Sequence, residues 1–306
     1  MIAAARMPRP QAALALACIV AAGCIGTAEP AWMSGIDDTR SLTALSIPGT
    51  HDSGALHEPL AGLAKTQALT IAEQLDAGVR FLDLRARIID DAFWLYHGSI
   101  DQDQAFVDVF ATMYAFLDAN PTETIIASLK EEAMPTGATR TFDAIFADYV
   151  AASPDRWHLG RAVPTLGDAR GKIVLVRRFS TTIASPLGID AAPWADNATF
   201  SIDNGDAALR IQDEYIVTDN NAKWAAIEAL LAEPGAPSTL YLDYTSGYQP
   251  TPMGLPDILA VSNDINARLD TRLATAPDAP RGVLVMDYVT AARIGAVIQR
   301  NQLAAK

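Results

Sequence analysis

Residues 172–179, KIVLVRRF, and 282–288, GVLVMDY, decide how the rest of the chain is read. Each holds four consecutive apolar residues, IVLV at 173–176 and VLVM at 283–286, and each runs into a charge, Arg178 or Asp287. A strand that is apolar at every position is covered on both faces, the condition of a parallel sheet wrapped by helices. Further strand-like runs lie at 42–47, 80–87, 93–97, 124–131, 209–215 and 239–245. Helical periodicity is readable between them at 70–77, 105–120, 139–151, 221–233, 256–273 and 291–303. Strand and helix alternate to the end without linker or repeat, which predicts a single α/β domain built as a barrel.

In such a barrel the groups that do chemistry collect where the strands end. The predicted strand ends carry His51 and Asp52, then Asp83 and Arg85, then His97, Lys130 with Glu132, Arg178, Asp213 with Tyr215, and Asp287. Period-two alternation puts Asp83 and Arg85 on one strand face, Lys130 and Glu132 on another, and Asp213 and Tyr215 on a third. A charge at one strand end is unremarkable, because strand ends meet solvent. The whole series on one rim, holding two of the four histidines, points instead to acid–base chemistry, since imidazole titrates near neutrality. Taken singly, His51 in PGTHDSG also reads as a turn residue with local hydrogen bonds. Asp83 with Arg85 also reads as an internal ion pair, and Arg177 competes with Arg178 for the inward position. His57 and His158 have no such neighbours and read as loop or surface residues.

Residues 1–28 are set apart from the domain at 29–306. Arg6 and Arg9, the apolar run 12–23 and the small residues after it have the pattern of a secretory signal, too short for a comfortable membrane span. Cleavage follows Ala28, or precedes Cys24 in VAAGC if the chain is a lipoprotein; Ala21 stands where a larger aliphatic residue would favour the second. Both cysteines, Cys18 and Cys24, fall in this leader, so the secreted or periplasmic domain has no internal disulfide. Losing two of 23 basic residues leaves 21 against 36 acidic ones, a net charge of −15. That balance excludes nucleic acid as a partner and disfavours electrostatic docking on anionic lipid.

SIPGTHDSG (46–54) resembles the first catalytic box of bacterial phosphatidylinositol-specific phospholipase C. LDAGVRFLDLRAR, YHGS and NPTETIIASLKEE look like the rest of that family's conserved half, and GDARGKIVLVRRFS, PWADNATF, IQDEY, LYLDYTS and VLVMDY like its later segments. The ordered series spans about residues 40–300. The resemblance implies a distorted TIM-type (β/α) barrel acting as a monomer on phosphatidylinositol, its glycosylated forms or soluble headgroup analogues, at a transiently engaged membrane surface. It implies that His51 takes the proton of the inositol 2-hydroxyl, that His97 protonates the departing diacylglycerol, and that Asp287 and Asp52 support these two histidines. Arg85 would hold the phosphoryl oxygens, where calcium-dependent relatives use a carboxylate-bound Ca²⁺; no cofactor or metal is therefore expected. Lys130, Glu132, Arg178, Asp213 and Asp83 would meet the inositol, and Tyr215 would stack on its apolar face. Tryptophans expected on the rim are replaced by Leu60, Leu63, Tyr248, Met253 and Leu255. A glycerophosphodiester phosphodiesterase, which needs a glutamate-rich metal site, and a non-catalytic secreted lipid- or glycan-binding module are the rival readings.

Overall fold

The computed structural model describes residues 30–184, 186–275 and 282–303. The leader expected at 1–28, with Cys18 and Cys24, lies outside the described residues. The chain runs through β1 (Ser46–Thr50), α1 (Ile71–Ala77), β2 (Phe81–Ile89), β3 (Ala92–His97), β4 (Ile100–Ala105), α2 (Phe106–Ala119), β5 (Ile125–Glu131), α3 (Phe142–Ala152), β6 (Trp157–His158), α4 (Leu166–Ala169) and β7 (Ile173–Arg178). It continues through β8 (Ile189–Asp190), β9 (Ala198–Asp203), β10 (Ala208–Asp213), α5 (Asn220–Leu231), β11 (Thr239–Tyr244), β12 (Gln249–Pro250), β13 (Pro256–Asp257), α6 (Ile258–Thr275), β14 (Gly282–Met286) and α7 (Ala291–Leu303).

One twelve-stranded sheet has a main path of nine strands, β6-β7-β5-β2-β1-β14-β11-β10-β9, with β3 and β4 joined to it through β2 and β8 through β7; every neighbouring pair on the path from β6 to β10 is parallel. β9 adds antiparallel to β10. Among the described residues no ladder joins β9 to the β6 and β8 side, so the barrel is curled but open, a distorted TIM-type fold with helices outside. β14 is buried at every position, as is β7 up to Arg177, which is why both read as unbroken apolar runs. The main core joins both faces of the sheet to residues of α1, α2, α3, α6 and α7.

Two expectations about strands need correction. Leu42–Ala44 is a 3₁₀ turn, begun where the Ser41 Oγ accepts the Thr43 N–H at 3.2 Å, and the strand starts only at Ser46. That strand then passes straight through Pro48 and Gly49, which read as a turn in sequence. A central strand tolerates the glycine because a Cβ there would lie 2.8 Å from Val283 Cγ1 and 3.1 Å from Phe81 Cβ, so β1 is pressed between β14 and β2. The second correction concerns β3, which is no member of the parallel repeat. Asp90 and Asp91 both take positive φ, 48° and 60°, the conformation of a mirror-image two-residue hairpin turn. β3 therefore pairs antiparallel with β2 (Ala86↔Leu95) and carries His97 back toward Arg85. β4 and β9 escaped the sequence reading because IDQDQA and ATFSID are polar and partly exposed.

At the opposite end, where the parallel strands begin, Arg80 and Glu123 form an ion pair of 2.9 Å with neither side chain exposed. Arg80 also donates to the carbonyls of Leu75 and Val79, while Glu123 accepts the Met33 N–H at 3.1 Å. Burial lowers the Arg80 pKa to about 10 against the pull of Glu123, still far above neutrality.

Candidate active site

β1, β2, β5, β7, β10 and β14 all deliver residues from their C-terminal ends to one mouth, because parallel strands share a direction. A cavity of about 440 Å³ opens there, lined by His51, Arg85, His97, Lys130, Arg178 and Asp213 among others. The His51 and His97 rings stand 6.2 Å apart, edge to face at 88°.

The hydrogen bonds of His51 fix its protonation. Nε2 lies 2.8 Å from Arg85 Nη2, and a guanidinium can only donate, so Nε2 carries a lone pair. Nδ1 lies 2.8 Å from Asp287 Oδ1 and must hold the proton given to that carboxylate. His51 is therefore neutral, with its basic nitrogen on the side of Arg85. Gln67 fastens the same corner by donating to the carbonyls of His51 and Met286, both at 2.9 Å.

His97 is held differently. Its Nδ1 donates to the Ala64 carbonyl at 2.5 Å, which leaves Nε2 as the nitrogen free for a ligand. Asp52 Oδ2 is 3.5 Å from the same Nδ1, yet among the described residues neither Asp52 oxygen has a hydrogen-bond partner. Burial pushes the Asp52 carboxyl well above the usual carboxylate range, outweighing Arg85. Burial first, then the Arg85 charge, push His97 below the ordinary imidazole value.

Arg85 is the hub. It bonds Asp83 Oδ2 at 3.1 Å and Glu132 Oε1 at 3.4 Å, and lies 3.8 Å from Asp52. Burial alone would raise Asp83, but Arg85 and Arg178 on either side hold it far below the usual range. Asp83, expected to meet the inositol, is fully buried and is not among the residues lining the cavity. It is a strut under two arginines. Glu132, opposed by burial but flanked by Arg85 and by Lys130 at 2.8 Å, also stays ionised. Of the two candidate arginines, Arg178 turns inward, 3.3 Å from Asp83 and 3.9 Å from Asp213. Arg177 faces away, paired with Asp190 at 2.8 Å.

The family model for the phosphatidylinositol-specific phospholipase C X domain matches residues 40–179. A 1-phosphatidylinositol phosphodiesterase of Staphylococcus aureus is 37% identical over 232 residues, 70% of this chain and 74% of that one. This chain belongs to the phosphatidylinositol-specific phospholipase C family. The 1-phosphatidylinositol phosphodiesterase of Listeria monocytogenes is 31% identical over 284 residues, 89% of this chain and 84% of that one. A solved double mutant of the Staphylococcus aureus phosphatidylinositol-specific phospholipase C superposes with a TM-score of 0.79 at 30% identity, over 89% of this chain and 98% of that one.

In this member of the phospholipase C family the cavity wall also contains groups not singled out from sequence. Trp194 stacks under Arg178, with the guanidinium carbon 3.7 Å from the ring centre, and donates its indole N–H to Asp213 at 2.9 Å. Asp196 accepts the Tyr215 hydroxyl at 2.7 Å. Both sit in PWADNATF between β8 and β9, where no periodicity marks an inward residue. Buried Lys223 donates to Gln212 Oε1, the Glu214 carbonyl and the Tyr244 carbonyl at 2.6–2.9 Å, tying together the ends of β10 and β11 that present Asp213 and Tyr244. A lysine inside a helix gives no sequence signal for that task. Of the five apolar rim residues, Leu63 and Tyr248 line the cavity, while Leu60 (61% exposed), Met253 (81%) and Leu255 (38%) face solvent.

Proposed function

We propose that the chain cleaves phosphatidylinositol between phosphorus and the glycerol oxygen, giving diacylglycerol and inositol 1,2-cyclic phosphate. The observation that carries this reading is the pair of imidazoles on one cavity, one with Nδ1 held by Asp287 so that the lone pair lies on Nε2 beside Arg85, and the other with its Nδ1 committed to Ala64. The inositol 2-hydroxyl gives its proton to His51 Nε2 as its oxygen attacks phosphorus. The bond to the glycerol oxygen breaks, and that oxygen takes a proton from His97 Nε2. Asp287 stabilises the imidazolium formed on His51, and Arg85 moves its charge onto the phosphoryl oxygens, which suits a planar guanidinium. Since Arg85 supplies that charge, the reaction needs no metal.

Headgroup selection falls to Lys130, Glu132, Arg178, Asp213 and Tyr215, together with Trp194 and Asp196. Each cation in this set faces a carboxylate, Lys130 with Glu132 and Arg178 with Asp83 and Asp213. No surplus charge remains for further phosphates, so an inositol ring without them, free or glycosylated, is the fitting substrate. The leader and the acidic domain fit export to the cell surface or periplasm, with weak, apolar contact between Leu60, Met253 or Leu255 and lipid.

Phosphatidylinositol vesicles incubated with enzyme and chelator, followed by phosphorus resonance, test the reading. A five-membered cyclic phosphate should form first, and His51→Ala or His97→Ala should lower turnover by roughly 10²–10⁴-fold or more. Phosphatidic acid as the product, or loss of turnover in chelator, would sink it.

A further inference from the structure

The two imidazoles are supported by different means, and the difference points to residues outside the cavity. Asp287 touches His51 directly, whereas the Nδ1 proton of His97 goes to a backbone carbonyl, that of Ala64. The same peptide group ends in the Lys65 N–H, and in a trans peptide the N–H and the C=O point in opposite directions. Lys65 N–H donates to Glu58 Oε2 at 3.1 Å, and the same oxygen also accepts from Leu63 at 3.1 Å and Ala64 at 3.3 Å. On the far side the Tyr288 hydroxyl donates to the Lys65 carbonyl at 2.5 Å, and its backbone N–H to the Thr66 carbonyl at 2.7 Å. Tyr288 has φ +48°, a left-handed conformation rare for tyrosine, directly after Asp287. That twist lets adjacent residues serve the two histidines, Asp287 on His51 and Tyr288 on the strap beside His97.

We propose that Glu58 and Tyr288 are positioning residues for His97: Glu58 acts through the Ala64–Lys65 peptide as a carboxylate–peptide–imidazole relay, and Tyr288 holds that strap in place through the next carbonyls along it, those of Lys65 and Thr66. The carboxylate polarises the peptide, making the Ala64 carbonyl a stronger acceptor for Nδ1–H, since hydrogen bonds in a chain reinforce one another. Nδ1 is thereby kept as the donor to the strap and Nε2 is directed at the leaving group. Burial, then the charges of Glu58 and Asp287, push the Tyr288 hydroxyl well above the ordinary tyrosine value, so it remains a donor throughout the working range. The charges facing His97 are Arg85 from β2, Glu132 after β5, Asp52 after β1 and Asp287 after β14, with the His51 ring at 6.2 Å. Arg85 lowers the His97 pKa and the Ala64 hydrogen bond raises it, so weakening the relay leaves the lowering influences less opposed.

The inference rests on the proposed role of His97 as general acid, and the experiment separates the two. Glu58→Gln, Glu58→Ala, Tyr288→Phe and His97→Ala are compared with the unaltered enzyme on two soluble inositol phosphodiesters, one with an alkyl alcohol leaving group and one with a nitrophenolate. A nitrophenolate departs without a proton, so loss of a general acid matters little to it. Glu58→Ala and Tyr288→Phe should lower kcat on the alkyl ester about tenfold, a fraction of the roughly 10²–10⁴-fold that a general acid contributes. KM should be unchanged, the alkaline limb of the kcat profile should move to lower pH, and the nitrophenyl ester should be turned over nearly as before. Glu58→Gln keeps an acceptor without the charge and should fall between. If the Glu58 and Tyr288 variants lose both substrates equally with an unmoved pH profile, their role is structural and the relay is wrong. If they match the unaltered enzyme while His97→Ala loses only the alkyl ester, the relay fails and the general acid stands. Should His97→Ala keep full activity on the alkyl ester, the parent reading fails instead.

Discussion

At the scale of single residues, the site works by giving chemically identical side chains different surroundings. His51 has a carboxylate on one nitrogen and a guanidinium on the other, whereas His97 has a peptide carbonyl and an open nitrogen. The proposed acid must be protonated to act, and His97 in the free enzyme lies below the ordinary value of about 6.5 through burial and Arg85. On a soluble phosphodiester, kcat/KM should therefore decline as pH rises through a value on the acid side of 6.5. A bound phosphodiester adds negative charge beside the ring and favours its protonated form, so the alkaline limb of kcat should lie at higher pH than that of kcat/KM. Superimposed limbs above neutrality would contradict the assignment. Asp83 shows the limit of reading a residue alone: its charge, strand position and alternation match those of a ligand-facing carboxylate, but it is buried and its two oxygens are engaged by Arg85 with the Asp52 N–H and by Arg178 with the Ser128 hydroxyl.

At the scale of elements, β1 and the β2–β3 hairpin place the histidines. β1 carries His51 between two neighbours that leave no room at Gly49. Gly49→Ala should force β1 off β14 or β2 and cost about 1–3 kcal/mol, as overpacking does. Denaturant unfolding would show the loss as a lower midpoint, and turnover should fall too because the displaced strand leads directly into His51. An unchanged midpoint would mean the contact is slack. The hairpin does what a parallel repeat could not, since only a reversing strand returns His97 to the level of Arg85. Its turn, Asp90 and Asp91 in left-handed conformation, carries no glycine to announce it.

At the scale of the whole molecule, stability and chemistry sit at opposite ends of one sheet, as parallel barrels allow. Glu123→Ala would leave the Arg80 cation buried without its partner and cost about 3–5 kcal/mol, which for a domain of this size lowers Tm by on the order of 10 °C. Scanning calorimetry reads that fall, and kcat of the folded enzyme at 25 °C should not change; a large kcat loss would show that the two ends are coupled. Much of this layout was legible in the chain itself. The apolar runs at 173–176 and 283–286 and the charges that end them specified buried parallel strands with one polar rim, because hydrophobic period and strand length are local properties. The tertiary structure alone decided that Arg178 and not Arg177 turns inward, that Asp83 is a strut, that β3 runs backward, and that Trp194, Asp196, Lys223 and Glu58 reach the site or its supports. Alternation along a strand defines two faces without saying which one meets the axis, and residues brought from distant loops leave no trace in spacing. Only register and close packing assign the faces and gather the loops, and both are contacts between segments remote in sequence.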